Sequence, residues 1–187
     1  IQSAIEQSVN GDQIHIAPGH YSETLDTLGK SIQLIGVTGA LDTIIDAEGL
    51  GDAVIVMKNN EGVKTVITGL TLTGGAGHPH PQWGTLLGGA IFGYYVSPTI
   101  TDCIIEGNEA NYSAGIWLQE SHSVLNNVHF ENNHTNYDSN SGAGALYAWN
   151  STLLVTNCSF VENSGVGGGG AVRCKALTSG GDSLFQN

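Results

Sequence analysis

The residue types in this chain that suit chemistry gather at one recurring position. Phe92, Trp117, Tyr147 and Arg173 each stand one residue into a short apolar segment, and Tyr94, Gln119, Trp149 and Lys175 follow two residues later. If the neighbouring Ile91, Ile116, Leu146 and Val172 point inward on strands, side-chain alternation turns both sets outward as two columns. Phe92, Tyr94, Trp117, Tyr147 and Trp149 then form an aromatic surface whose rungs are about 4.8 Å apart. It runs into Arg173 and Lys175, two of the chain's five basic residues. Flat rings beside hydrogen-bonding groups suit sugars, so carbohydrate contact is the leading expectation. Contact with another subunit, or burial beneath the long loops 74 to 88 and 133 to 143, are the alternatives.

Arg173 and Lys175 are also the candidates for catalysis, as the only clustered cations. A polysaccharide lyase needs a cation to neutralise a uronate carboxylate and a base at the adjacent carbon. Glycoside hydrolysis needs two facing carboxylates, for which Glu120 and Asp138 are the nearest to this face. His78 and His80 have the spacing to share a metal on an extended segment, but without a third ligand they read as solvated loop residues and no metal site is assigned. Asp42, Asp46, Glu48 and Asp52 offer oxygens to calcium but lack the ordered spacing of an EF-hand loop. Calcium is therefore possible without a motif, and no other cofactor is implied. His129 reads as a surface residue. The three cysteines, Cys103, Cys158 and Cys174, are odd in number and not closely paired, so buried free thiols are expected.

The elements that position these residues are repeats. Ile91 to Ile116 and Ile100 to Leu125 are both 25 residues apart, and Ile116 to Leu146 and Leu125 to Val155 are both 30. Two blocks that keep step while the gaps between them vary are what stacked coils with loop insertions produce. Within a repeat the apolar residues alternate over stretches too short for helices, as in Ile100, Cys103 and Ile105. Asp102, Asn127 and Asn157 share one position, and Asn108, Asn133 and Asn163 another. Asn tolerates left-handed backbone, and its amide can bond the equivalent Asn one coil away, so both columns read as bends.

Composition agrees with an all-β chain. Twenty-seven glycines and only 12% charged residues suit dense turns, and 40% apolar content suffices for one core in a single domain over 1–187. A net charge of −12 disfavours nucleic acid and anionic membrane surfaces. No apolar run approaches a membrane span, and the first residues lack signal-peptide order. Residues 1 to 10 place Ile1, Ala4, Ile5, Ser8 and Val9 on one helical face before Asn10-Gly11-Asp12, an amphipathic helix suited to cap the coils of 11–187. Ser183-Leu184-Phe185-Gln186-Asn187 starts another strand pattern without a polar cap. A fragment open at that end is expected, or an end covered by another copy, with a homodimer through it or through the aromatic face.

Gly11-Asp12-Gln13-Ile14 and Ala17-Pro18-Gly19-His20-Tyr21 resemble the opening of pectate-lyase-like right-handed parallel β-helix proteins. Ser31-Ile32-Gln33-Leu34-Ile35-Gly36 and Thr43-Ile44-Ile45-Asp46 continue the likeness. Gly88-Gly89-Ala90-Ile91 with Pro98-Thr99-Ile100-Thr101-Asp102-Cys103 is similar to repeats of bacterial secreted and surface proteins of this group. The resemblance implies a single-stranded solenoid of three short strands per coil, an extracellular or surface location, and an outer face that often holds the active cleft. Because the superfamily includes lyases, hydrolases, epimerases, tailspikes and adhesins, it does not imply one activity. Non-catalytic polysaccharide contact is the expectation, with a lyase-like fragment or a self-associating solenoid as alternatives.

Overall fold

Alternation sets the strands, and left-handed residues turn them. In Thr99–Glu106 the buried side chains are Ile100, Cys103 and Ile105, so the two-residue period slips once, at Asp102. Asp102 has φ 53°, as do Asn127 and Asn157 at the equivalent position of the next two repeats. One left-handed residue bends the strand and returns the following side chain to the inside, which is why short polar residues occupy this column. Tyr95, Glu120 and Asn150 form a second left-handed column, one residue past the aromatic strands.

The computed structural model describes residues 1–136, 142–166, 168–175 and 183–186. Apart from two short two-stranded pairs, their strands pair parallel and in register into three stacks. Gln13–Ile16, Gln33–Gly36 and Val66–Thr68 lead into the first halves of Thr99–Glu106 and His122–Glu131, then Thr152–Thr156 and Leu184–Gln186. Gly19–Ser22, Thr43–Asp46 and Thr71–Thr73 lead into the second halves of the same two long strands, then Ser159–Val161. Leu25–Asp26, Ile55–Met57, Ile91–Tyr94, Ile116–Gln119, Leu146–Trp149 and Val172–Lys175 form the third. The register predicted from spacing is the register observed: Ile91 faces Ile116, Ile116 faces Leu146, and Leu146 faces Val172. The chain is thus an all-β, parallel, solenoid-like stack.

Its core is a set of columns, one residue per rung. Leu34, Ile67, Ile100, Leu125 and Val155 form one, and Ile55, Ile91, Ile116 and Leu146 another. Each such side chain, fully buried, contributes about 1.5–3 kcal/mol of apolar transfer. Phe130 and Phe160 stack at 4.9 Å with planes 7° apart. The small residues before the aromatic strands have a steric cause: a Cβ on Gly89 would meet Ala114 O at 2.2 Å, and one on Gly115 would meet Ala145 O at 2.1 Å.

Asn108, Asn133 and Asn163 form a ladder at another bend. Asn108 Nδ2 donates to Asn133 Oδ1 at 2.9 Å, and Asn133 Nδ2 donates to Asn163 Oδ1 at 2.8 Å. The amide of Asn133 also reaches Ile105 O, at 2.8 Å. The amino-terminal helix is shorter than its pattern suggests, spanning Gln2–Gln7 instead of residues 1 to 10. Ser8 turns extended and bonds Ile5 O through its hydroxyl, while the Lys30 ammonium donates to the carbonyls of Ile5 and Glu6. Ile5 is the helix residue that enters the core.

Candidate functional site

The aromatic columns point away from the main core, as alternation requires, but they are largely covered. Phe92 is 0% exposed, and Trp117 and Tyr147 are 1% each. They pack with Ala53, Val56, Leu87 and Ala143 in a second apolar cluster, against which Tyr94, Tyr112 and Trp149 lie half-buried. This corrects the expectation of an open aromatic surface. The cover comes from the insertion at 74 to 88, where His78–Pro79 and Leu86–Leu87 pair antiparallel as a hairpin. Leu87 is its apolar foot, packed in that cluster. Ala143, at the end of the other long loop, also packs there; residues 137–141, with Asp138, lie outside the described residues.

The hairpin leaves one side of the cluster open. A cleft of about 300 Å³ is lined by Trp83, Thr85, Tyr112, Trp117, Trp149 and Lys175. All three tryptophans of the chain meet here. Trp83 lies 5.3 Å from Trp149 and 6.4 Å from Trp117 between centroids, and Trp117 lies 6.1 Å from Trp149. Trp83, at 47%, is the exposed member. Trp117 Nε1 is buried without a hydrogen-bond acceptor among the described residues. An unpaired buried donor costs about 1–3 kcal/mol.

Of the two predicted cations, Lys175 lines the cleft, and Arg173 stands with Cζ 5.7 Å from the Tyr147 ring centroid. Burial pushes the Tyr147 phenol up in spite of Arg173. Glu120 does not line the cleft: both its carboxylate oxygens accept from Asn150 Nδ2, at 2.7 and 2.8 Å. Among the described residues the cleft lining holds no carboxylate.

The histidines of the insertion are not solvated, and they do not converge on one point. His78 Nδ1 lies 2.8 Å from Asp52 Oδ1, and its Nε2 lies 3.1 Å from Lys58 Nζ. The ammonium must donate, so Nε2 accepts and the ring proton on Nδ1 goes to Asp52. Burial pushes the Asp52 carboxyl up, but the hydrogen bonds from His78 and Ala53, helped by the nearby Lys58 charge, outweigh it and hold it below its ordinary value. His80 turns instead to Gln119, at 3.0 Å. Asp46 takes His20 at 2.9 Å, so it and Asp52 serve separate partners.

Of two further groups, His129 lies at the surface as its sequence reading has it, and Cys174 departs from its own. His129 belongs to a hydrogen-bonded line, with Nδ1 2.6 Å from Ser159 Oγ and Nε2 3.0 Å from Glu131 Oε2. Ser159 is exposed and the other two half-exposed, and the line laces neighbouring rungs. Cys103 and Cys158 are buried and free as expected, whereas Cys174 is exposed on the last described aromatic-stack strand.

What the sequence left out of the site is Trp83, Thr85 and Tyr112. Their signal was the apolar Leu86-Leu87 pair and a tryptophan inside an otherwise polar insertion. The chain matches no protein-family model and no curated protein sequence.

Proposed function

We propose that this chain is a right-handed parallel β-helix module of an extracellular or surface protein, and that it holds polysaccharide in the tryptophan cleft without cleaving it. The β-helix reading is supported by three parallel stacks with one strand of each repeat in each, joined at left-handed corners. The observation that carries the function is the convergence of Trp83, Trp117 and Trp149 around a cleft that also holds Lys175. Indole faces stack on the apolar faces of sugar rings, while the lysine and Thr85 offer polar contacts to hydroxyl or carboxylate oxygens. With no carboxylate in the lining among the described residues, contact is favoured over hydrolysis.

The test is a glycan-array screen, with calcium and with chelator, beside light scattering at several concentrations. Retention of polysaccharide by the monomer, lost in Trp83→Ala, is the expected result. No retention together with a stable dimer would overturn it and assign the aromatic region to self-assembly. Release of unsaturated products would instead move the reading to a lyase.

A further inference from the structure

The hairpin that completes the cleft is held by a side chain whose hydrogen bonds admit only one protonation state. His80 is 1% exposed. Its Nδ1 accepts the N–H of Gln82 at 3.2 Å, so the neutral ring carries its proton on Nε2, which donates to Gln119 Oε1 at 3.0 Å. The ring stacks on Trp83, with centroids 3.9 Å apart and planes 15° apart. It meets Tyr94 and Phe92 edge-on, at 5.3 and 6.4 Å. His80 thus ties the hairpin to both neighbouring aromatic strands, Ile91–Tyr94 and Ile116–Gln119.

A second proton at Nδ1 would face the Gln82 N–H, donor against donor, and would put a charge on a ring that is itself buried. Burial already holds the His80 ring below its ordinary value of 6.5, against the opposing Gln119 bond. The surrounding titratable groups do not rescue the charge. Tyr94 faces it from one strand, with Tyr95 and Glu120 behind. Glu120 is committed to Asn150, and on the hairpin side His78 has taken Asp52 and Lys58. The Trp83 face attracts a cation, but Trp83 rides on the same hairpin, so that attraction survives opening and does not hold the cleft closed.

We propose that His80 is the pin of a proton-gated cleft: a proton taken up at Nδ1 releases the hairpin tip, and Trp83 with it, from the wall formed by Trp117 and Trp149. The released tip binds protons with ordinary histidine affinity and the closed one more weakly. Closure is therefore complete above about pH 6.5 and is lost as pH falls through the lower value of the closed state. The consequence for glycan retention, weaker binding in acid, rests on the reading of the cleft given above; the gate itself does not.

Two ligand-free measurements on the whole chain test it. Imidazole nitrogen shifts should show the Nε2–H form of His80 at neutral pH, titrating below 6.5 in step with the Trp83 indole signal. Acrylamide quenching of tryptophan should rise about twofold between about pH 7.5 and about pH 5 as Trp117 is uncovered, with far-ultraviolet dichroism unchanged. His80→Asn keeps an acceptor for Gln82 N–H but does not titrate, so its quenching should be flat across this range. A proton on Nδ1 at neutral pH, flat quenching in the wild type, or an unaltered pH response in His80→Asn would each overturn the gate. Glycan retention that is absent at every pH while the quenching transition persists would sink the glycan reading and leave the gate standing.

Discussion

Lys175 holds its Nζ 4.1 Å from the centroid of the Trp149 ring, so the chain's own cation occupies one face of an indole in the cleft wall. A cation over an exposed ring is worth about 0.5–1 kcal/mol, too little to define the fold but enough to orient both groups. The arrangement discriminates among sugars, since a uronate gains the ammonium while a neutral sugar competes with it for the ring. Lys175→Ala should therefore weaken acidic oligosaccharides about tenfold and leave neutral ones unchanged or tighter, with a stability change under about 1 kcal/mol. Calorimetric titration with the two classes checks this. Equal losses for both would mean that Lys175 only props Trp149.

Trp83 and Trp117 belong to the same cleft but should answer to different measurements. Trp117 is almost fully buried between Phe92 and Tyr147, in register with both, and stacks on Tyr147 at 4.6 Å. Removing a core tryptophan costs about 3–5 kcal/mol, so Trp117→Ala should lower the denaturation midpoint strongly. Trp83 is half-exposed at the hairpin tip. Trp83→Ala should abolish polysaccharide retention while shifting stability by about 1 kcal/mol or less. Urea unfolding beside affinity electrophoresis separates the two, and a folded but non-binding Trp117→Ala would contradict the burial described here.

The contrast shows what was legible in the sequence. Alternation says which way a strand residue points, and equal spacings say which residues are neighbours, so the columns through Ile91 and Ile100 and the Asn ladder could be read directly. What lies against the outward side is decided by a non-local contact. The 74 to 88 insertion has neither helical nor strand periodicity, and its glycines, prolines and histidines read as a solvated loop. The apolar Leu86-Leu87 pair hints at a foot, but nothing local reports where Leu87 lands or that His80 finds Gln119. The helix overshot for a similar reason. Apolar spacing continues through Ser8 and Val9, but Lys30, far along the chain, caps the last carbonyls before those residues.

The left-handed corners make a prediction about backbone alone. Asn127, like Asp102 and Asn157, has φ 53° and an exposed side chain. Asn127→Val should destabilise by about 1–2 kcal/mol, the penalty of a side chain in that conformation, whereas Asn127→Gly should be close to neutral. Each replacement also removes the bond from Asn127 Nδ2 to Asp102 Oδ1, so the difference between them isolates the conformational part. Chemical denaturation of the pair would reject the argument if valine and glycine proved equal.

Asn133 tests the ladder in the opposite way, because its role is in its bonds. It is buried, accepts from Asn108, and donates to Asn163 and Ile105 O. Asn133→Ala leaves the Asn108 amide short of one acceptor and the Asn163 and Ile105 oxygens short of a donor. Asn108 Nδ2 keeps Leu72 O and Glu106 O, and Asn163 Oδ1 keeps the Asn133 N–H, so a loss of about 1–3 kcal/mol is expected. It should appear as a lower denaturation midpoint with an unchanged slope. A loss under about 1 kcal/mol would show that water replaces the amide and that the ladder is not structural.

The thiols report on the stack without any mutation. Burial pushes the Cys103 thiol up to about 12, and its Sγ donates to Thr101 O at 3.1 Å. Burial raises Cys158 as well, against its hydrogen bonds with the Val128 and Thr156 backbone. Thiolate is the reactive form, so both should be inert at neutral pH however much reagent is present. Cys174 is exposed; its thiol is raised by burial of part of its surface and lowered by Ser183, so it should react, though more slowly than a free thiol. Titration with an aromatic disulfide should count one thiol in the native protein and three in denaturant. Cys103 and Cys158 should become reactive together at the unfolding midpoint, because both point into one continuous core. If Cys158 reacted well before Cys103, the last rungs would be opening as a separate unit, and the stack would unfold from that end rung by rung.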